Sequence, residues 1–125
     1  MLFRSLFAAD SVVRSVILGG SGNDSITAIG GTDNRLDGGT GNDTLDGSDG
    51  GADVFVLRAN AGTDVILDFE QGIDRFGLAD LRFEDLSLVE SGSDTLITNA
   101  ATNATIALVH GIDPAALGAA DFLLV

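Results

Sequence analysis

The chain of 125 residues contains no cysteine, tryptophan or tyrosine, and it has one histidine. Without cysteine it forms neither a disulfide nor a thiolate zinc site, an absence that is compatible with export from the cell. No apolar run is long enough to span a bilayer. The histidine, His110, stands at the end of a predicted strand, where a structural role is more common than a catalytic one. The H-E-x-x-H, G-x-S-x-G and P-loop patterns are also missing, so we predict that the chain is not an enzyme.

Positive charge is scarce as well. Six lysine and arginine residues stand against 19 acidic ones, which gives a net charge of −13 and a pI of about 4.1. Such a chain repels nucleic acid and anionic membranes, so we expect neither as a partner. The arginines are scattered and indicate no anion-binding site. The excess of negative charge also opposes compaction unless a cation binds, and binding would then contribute to the free energy of folding.

Glycine, by contrast, is abundant, and much of it lies in a repeat. Residues 19–27 (GGSGNDSIT) and 38–46 (GGTGNDTLD) both fit G-G-x-G-x-D-x-U-x, where U is a large apolar residue. Degraded copies follow each of them, at residues 29–37 (IGGTDNRLD) and 48–56 (SDGGADVFV). This nonapeptide is the signature of a Ca²⁺-binding parallel β-helix. An acidic linker or a metal-free β-helix does not explain the fixed nine-residue spacing.

Each repeat divides into a turn and a short strand. The glycines permit a positive φ in the turn, and the x-U-x half directs one apolar side chain inward. Two repeats make one coil, so alternate loops stack about 4.8 Å apart, which predicts Asp24 over Asp43 and Asn34 over Asp53. Two carboxylates at that distance repel by roughly 3–4 kcal/mol at an effective dielectric of about 20, so a cation is expected between them. Oxygen ligands in irregular loops favour Ca²⁺ over Mg²⁺.

We therefore predict an all-β fold, a right-handed parallel β-roll (β-helix) with a C-terminal β-rich cap. The predicted inward series is Ile26, Leu36, Leu45, Phe55, Ile66 and Phe76, with Ile17 in a first strand. We expect one domain, with an entry strand in residues 1–18, the roll in 19–77 and the cap in 78–125. The cap closes the open end of the stack, as terminal units of repeat proteins do.

The repeats resemble those of the RTX (repeats-in-toxin) family, found in serralysin-type proteases, haemolysins, secreted lipases and alginate epimerases. The resemblance is specific over residues 19–56 and looser towards the C-terminus. It implies Ca²⁺ ions between stacked loops on the same edge. The second and fourth carbonyls of one loop, the first and third carbonyls of the other, and both aspartates would be the ligands.

The resemblance implies three sets of ligands in this chain. The best site consists of Gly20, Gly22, Asp24, Gly38, Thr40 and Asp43. A site on the opposite edge consists of Gly30, Thr32, Asn34, Ser48, Gly50 and Asp53. We expect this second site to be weaker or empty, because Asn34 removes a charge and one-residue insertions at Ala28 and Gly47 put the register in doubt. A third candidate joins Gly39, Gly41 and Asp43 to the loop of Asp64, although two extra residues intervene.

The two ends of the chain bear on export. Residues 1–18 form a poor signal peptide, with no clear cleavage site. The chain ends with Asp121 followed by the apolar residues 122–125, which is similar to the uncleaved C-terminal signal of type I secreted RTX proteins. The same residues could equally form a last core strand.

Three functional interpretations result. The first is a Ca²⁺-binding module of a type I secreted bacterial protein, which folds on extracellular Ca²⁺ and whose C-terminus engages the secretion machinery. The second is the non-catalytic tail of a larger secreted hydrolase or epimerase, with a catalytic domain upstream. The third is a Ca²⁺-dependent cell-surface or matrix interaction protein, which is the weakest because the chain lacks tryptophan and tyrosine for glycan binding.

Overall fold

The computed structural model describes residues 3–7, 16–28, 33–47 and 51–125. These residues form twelve strands: β1 (Phe3–Phe7), β2 (Val16–Leu18), β3 (Asn23–Thr27), β4 (Arg35–Asp37), β5 (Thr44–Asp46), β6 (Val54–Arg58), β7 (Asp64–Leu67), β8 (Arg75–Ala79), β9 (Leu86–Ser91), β10 (Asp94–Asn99), β11 (Thr105–Val109) and β12 (Phe122–Leu124). Short 3₁₀ turns occupy Phe83–Asp85, Pro114–Ala116 and Ala119–Asp121. Within the described ranges, no helix has the length and apolar character needed to cross a membrane.

The strands form two sheets. The seven-stranded sheet has the order β1-β3-β5-β7-β11-β10-β9, and the five-stranded sheet has the order β12-β8-β6-β4-β2. From β2 to β8 the chain alternates between the sheets, and every neighbouring pair among these strands is parallel. This winding is the predicted parallel β-roll.

Within the roll, the core contains the stack of inward apolar side chains that the repeat predicts. Ile26, Leu45 and Ile66 are in register across the seven-stranded sheet. The other three, Leu36, Phe55 and Phe76, are in register across the five-stranded sheet. All six are completely buried. Because every coil contributes one such residue to each sheet, the core is narrow and runs along the axis of the roll.

The one-residue insertions at Ala28 and Gly47, which put the register in doubt, leave the described strands in register. The N–H of Ala28 donates to the carbonyl of Asp46, and the N–H of Gly47 donates in the same way to Leu67 of the next coil. The two insertions therefore occupy equivalent positions in successive coils. Since both coils are longer by the same residue at the same place, Asn34 stays aligned with Asp53, whose Oδ1 accepts its N–H.

The two extra residues before Asp64 do not shift the register either, because they lengthen a strand. β6 has five residues where β4, its neighbour in the preceding coil, has three. The additional length lies at residues 57–58, before the next loop begins. Asp64 therefore returns to register with Asp43, whose N–H donates to Oδ1 of Asp64.

The C-terminal part continues both sheets of the roll. β11 pairs in parallel with β7, and β12 pairs in parallel with β8. The hairpin of β9 and β10 then closes the seven-stranded sheet with antiparallel pairing. β8 crosses residue 77, where the sequence pattern places the end of the roll. At the other end, β1 pairs with β3, so the roll includes a strand before the one expected at Ile17.

The last strand is anchored by aromatic contacts. The ring of Phe122 lies 5.1 Å from Phe76 and 5.0 Å from Phe83, measured between centroids. Phe76 is in turn stacked on Phe69 at 4.4 Å. The last strand therefore places Phe122 in the core, whereas Leu124 on the same strand is exposed.

Candidate metal centre

Three loops stack along one edge of the roll: the first loop (19–24), the second loop (38–43) and the third loop (59–64). Each ends in an aspartate. The N–H of Asp24 donates to Oδ1 of Asp43 at 2.8 Å, and the N–H of Asp43 donates to Oδ1 of Asp64 at 3.0 Å. All three side chains are almost fully buried. The structure thus places Asp24 over Asp43, as the repeat predicts, and extends the ladder to Asp64.

The third loop repeats the backbone of the second although its sequence does not. Gly39 has a φ of 81°, and Asn60, at the equivalent position, has a φ of 60°. Asparagine is one of the few residues that enters this left-handed region readily. A Cβ on Gly62 would also collide with the carbonyl of Gly41, so the two loops are closely stacked. Sequence reasoning recognised the loop of Asp64 here and missed Asn60.

The first glycine of a loop lies against the carboxylate of that loop. A Cβ on Gly19 would lie 2.5 Å from Oδ2 of Asp24 and 2.6 Å from the carbonyl oxygen of Gly38. A Cβ on Gly38 would likewise collide with the carboxylate of Asp43. The carbonyl of Gly38 therefore faces the first loop, and oxygen atoms of Asp24 and Gly38 lie together between the loops.

Burial and mutual repulsion make the ionised forms of Asp43 and Asp64 costly. Oδ2 of Asp43 is buried and accepts no hydrogen bond from the described residues. Burial raises the pKa of Asp43, and the neighbouring Asp24 and Asp37 carboxylates add to the rise. Burial also raises the pKa of Asp64 to about 7, with further contributions from Asp43 and Asp37. A cation between the loops would relieve this cost and favour the ionised forms.

A second ladder aligns the loops on their outer side. The N–H of Asn42 donates to Oδ1 of Asn23 at 2.8 Å, and the N–H of Thr63 donates to Oδ1 of Asn42 at 2.9 Å. These hydrogen bonds add to those of the aspartate ladder in holding the loops in register. The sequence contained a signal for them, since asparagine precedes the aspartate in both clean repeats.

The residues of the best predicted site are brought together. The N–H of Thr40 donates to the carbonyl of Gly20 at 2.9 Å, which joins the first and second loops directly. A carbonyl oxygen has two lone pairs, so this bond leaves Gly20 able to bind a cation. No three acidic or histidine side chains form a metal-binding group in the described part of the chain. Two carboxylates with backbone carbonyls form a set of oxygen donors that suits Ca²⁺.

The opposite edge contains a similar ladder. Asn34 donates its N–H to Oδ1 of Asp53 at 3.2 Å, and Asp53 donates in the same way to Asp74 at 2.9 Å. Oδ2 of Asp74 accepts the N–H of Glu70, so the carboxylate of Asp74 also binds the turn that precedes it. Asn34 thus lies over Asp53, as predicted. The remaining residues of that predicted site lie outside the described residues: Gly30, Thr32, Ser48 and Gly50.

Solved structures resemble nearly the whole chain. A crystal structure of the extracellular lipase LipA from Serratia marcescens matches 98% of the chain with a TM-score of 0.78 and 16% identity. The solution structure of the AlgE6R3 subunit of the Azotobacter vinelandii mannuronan C5-epimerase matches 97% with a TM-score of 0.68 and 27% identity. The chain spans 20% of the lipase and 78% of the epimerase subunit. No curated protein matches the sequence significantly.

A family model describes most of the sequence. Residues 5–107 match the model of the peptidase M10 serralysin C-terminal region. This region is the non-catalytic repeat domain of secreted enzymes. The stacked glycine and aspartate loops, the two parallel sheets and this match agree with one another. The chain belongs to the serralysin C-terminal family and has its RTX-type β-roll fold.

Proposed function

We propose that the chain is a Ca²⁺-binding β-roll module of a secreted bacterial protein, and that it has a structural role rather than a catalytic one. The observation that supports this most strongly is the ladder of Asp24, Asp43 and Asp64, which buries three carboxylates one above another in successive coils. Buried charges in proteins are normally paired or bound to a metal.

The best site lies between the first and second loops. Its ligands are the carboxylates of Asp24 and Asp43 and the carbonyls of four residues: Gly20, Gly22, Gly38 and Thr40. A further site between the second and third loops would use Gly39 and Gly41 with Asp43 and Asp64. On the opposite edge the weaker site would use Asn34 and Asp53 with Gly30, Thr32, Ser48 and Gly50. When bound, Ca²⁺ neutralises the aspartates and joins successive coils.

Ca²⁺ binding acts as a folding switch in this proposal. The net charge of −13 and the narrow core disfavour the folded chain when no cation is bound. Extracellular Ca²⁺ modules bind at about 10⁻⁴–10⁻³ M, which exceeds free cytosolic Ca²⁺ by a wide margin. The module therefore stays unfolded inside the cell and folds after export. Its C-terminal residues, which form β12 when folded, remain accessible to a type I secretion system beforehand.

The module belongs to a larger protein in this proposal. The family match is to a C-terminal region, and the chain spans a fifth of the lipase that it resembles. A catalytic domain upstream, of a hydrolase or an epimerase, would use the roll as a stabilising C-terminal domain. A protein in which that domain is joined to the roll should gain thermal stability from Ca²⁺, and the isolated catalytic domain should gain much less.

Direct measurement of Ca²⁺ binding tests the proposal. Isothermal titration calorimetry of the 125-residue chain should show Ca²⁺ binding in the range of about 10⁻⁴–10⁻³ M or tighter, with much weaker binding of Mg²⁺. Asp43→Asn should weaken binding strongly, because Asp43 lies between two sites. Glu90→Gln, which removes the same charge from an exposed position on β9, is the matched control. Equal behaviour of the two variants would contradict specific binding at the ladder.

A further inference from the structure

The carboxylate of Asp37, the residue before the second loop, accepts three hydrogen bonds from the described residues. Its Oδ1 accepts the N–H of Gly39 at 3.0 Å and Nε of Arg58 at 3.4 Å. Its Oδ2 accepts Nη2 of Arg58 at 2.5 Å. Asp37 is buried, and Arg58 ends β6 in the next coil. The guanidinium therefore binds the carboxylate through two nitrogens, a bidentate geometry that fixes the orientation of the carboxylate as well as its position.

The contact between Asp37 and Gly39 determines where a carbonyl points. The N–H of Gly39 and the C=O of Gly38 belong to one trans peptide unit, in which they point in opposite directions. With the N–H directed at Asp37, the carbonyl of Gly38 is directed away from it. The structure agrees, since this oxygen lies 2.6 Å from the position of a Cβ on Gly19 in the first loop. The carbonyl thus points into the space between the two loops.

We propose that Arg58 is a positioning residue for the cation site between the first and second loops. Arg58 orients Asp37, Asp37 orients the peptide of Gly38 and Gly39, and the Gly38 carbonyl is thereby presented as a ligand. This inference rests on the proposed Ca²⁺ function. In the first coil the position of Asp37 is taken by Leu18. The contact of Arg58 with Asp37 therefore acts on the second loop, and Arg58 itself lies in the third coil.

The electrostatic effect of Arg58 on cation binding is opposite in sign to its positioning effect, so an experiment can separate the two effects. A positive charge beside a cation site weakens cation binding, and its removal would strengthen it. Removal would also uncover the charge of Asp37, which already acts on Asp43 and Asp64. Charge alone therefore predicts tighter Ca²⁺ binding without Arg58. Positioning predicts weaker binding, since residues behind metal ligands typically contribute about 10–100-fold to affinity.

The test is calorimetric titration of Ca²⁺ into four proteins: wild type, Arg58→Gln, Arg58→Lys and Arg82→Gln. Arg82 is the matched control, because it is exposed and its contact with Asp85 is long at 3.8 Å. We expect Arg58→Gln and Arg58→Lys to raise Kd about 10-fold or more, and Arg82→Gln to change it less than about twofold. Lysine keeps the positive charge and loses the bidentate geometry, so a wild-type Kd for Arg58→Lys would overturn the proposal. Tighter binding by Arg58→Gln would overturn it as well.

Amide hydrogen exchange gives a second reading. At saturating Ca²⁺ the amide of Gly39 should exchange faster in Arg58→Lys than in wild type, while the amide of Asp24 should be unchanged. Unchanged exchange at Gly39 would contradict the positioning role even if one variant failed to fold. A wild-type chain that bound no Ca²⁺ would contradict the proposed function and this inference together. A wild type that bound Ca²⁺ with both Arg58 variants matching Arg82→Gln would contradict this inference alone.

Discussion

The N–H of Asp24 donates a hydrogen bond to Oδ1 of Asp43, which lies 19 residues further along the chain, at 2.8 Å. One oxygen of the second aspartate therefore links two coils, and its other oxygen is buried without a hydrogen bond from the described residues. The same side chain contributes to the fold and to the candidate site. Changes at this position should consequently have different effects with and without Ca²⁺.

Asp43→Asn should have effects of opposite sign in the two conditions. Asparagine keeps an oxygen that can accept the N–H of Asp24, and it removes a buried charge whose pKa burial raises. In chelator, with sucrose added to favour the folded state, the variant should therefore be more stable than wild type. In a Ca²⁺ titration, the Ca²⁺ concentration at the midpoint of its folding should rise at least tenfold, which corresponds to about 1.4 kcal/mol. Urea unfolding in chelator and the Ca²⁺ titration measure the two effects. Destabilisation of the variant in chelator would contradict the account.

The pH dependence of the Ca²⁺-free protein follows from Asp64. Its pKa is about 7 in the folded state, above the ordinary value of 3.8, so the folded chain holds more protons between these values than the unfolded chain. Protonated Asp64 therefore stabilises the folded state. This contribution is fully present below about pH 4 and is lost as pH rises through about 7. Ca²⁺ requires the ionised carboxylate, so the ion should release protons when it binds near pH 6.

Calorimetry in two buffers with different ionisation enthalpies measures this proton release. At about pH 6 the apparent binding enthalpy should differ between the buffers in proportion to their ionisation enthalpies. Asp64→Asn should reduce the difference. A buffer-independent enthalpy for the wild type would contradict the raised pKa.

Gly38→Ala tests the close contact between the first glycine of a loop and its aspartate. The new Cβ would collide with the carboxylate of Asp43, so we expect a loss of about 1–3 kcal/mol in the free energy of unfolding with Ca²⁺ present. Gly118→Ala is the control, because a Cβ there meets nothing within 4 Å and its φ is −148°. Urea unfolding of the two variants should separate them clearly. Equal stability would show that the loop can move away.

Asn60→Ala tests the left-handed turn of the third loop. Alanine lacks the short polar side chain that makes this conformation tolerable, so we expect a loss of roughly 1–2 kcal/mol, and Asn60→Gly should recover most of it. The comparison of the two substitutions by urea unfolding isolates the backbone effect. If glycine were as destabilising as alanine, the side chain of Asn60 rather than its φ would be important.

The repeat predicted the coil, the inward apolar series and the stacked aspartates, because a fixed period determines which residues meet. Contacts that depend on departures from the period were not predictable. The ion pair of Arg58 and Asp37 joins residues 21 apart, and this spacing exists because β6 is two residues longer than β4. Sequence reasoning considered the arginines scattered, and the fold places one of them beside the candidate site.

The insertions at Ala28 and Gly47 illustrate the opposite case, in which a departure from the nine-residue repeat preserves the register. In the sequence they interrupt a nine-residue pattern, which suggests lost register. In the structure they recur at the same place in each coil, so the true period is that of the whole coil rather than of the half-coil. A search for the longer period would have found them.

Far-UV circular dichroism during a Ca²⁺ titration tests the central claim most directly. The titration runs from excess chelator to about 10 mM Ca²⁺, above the range of extracellular modules, with Mg²⁺ in parallel. The account predicts a disordered spectrum in chelator and a cooperative transition to β structure with Ca²⁺ but not with Mg²⁺. A spectrum that is fully β-rich in chelator and indifferent to Ca²⁺ would contradict it.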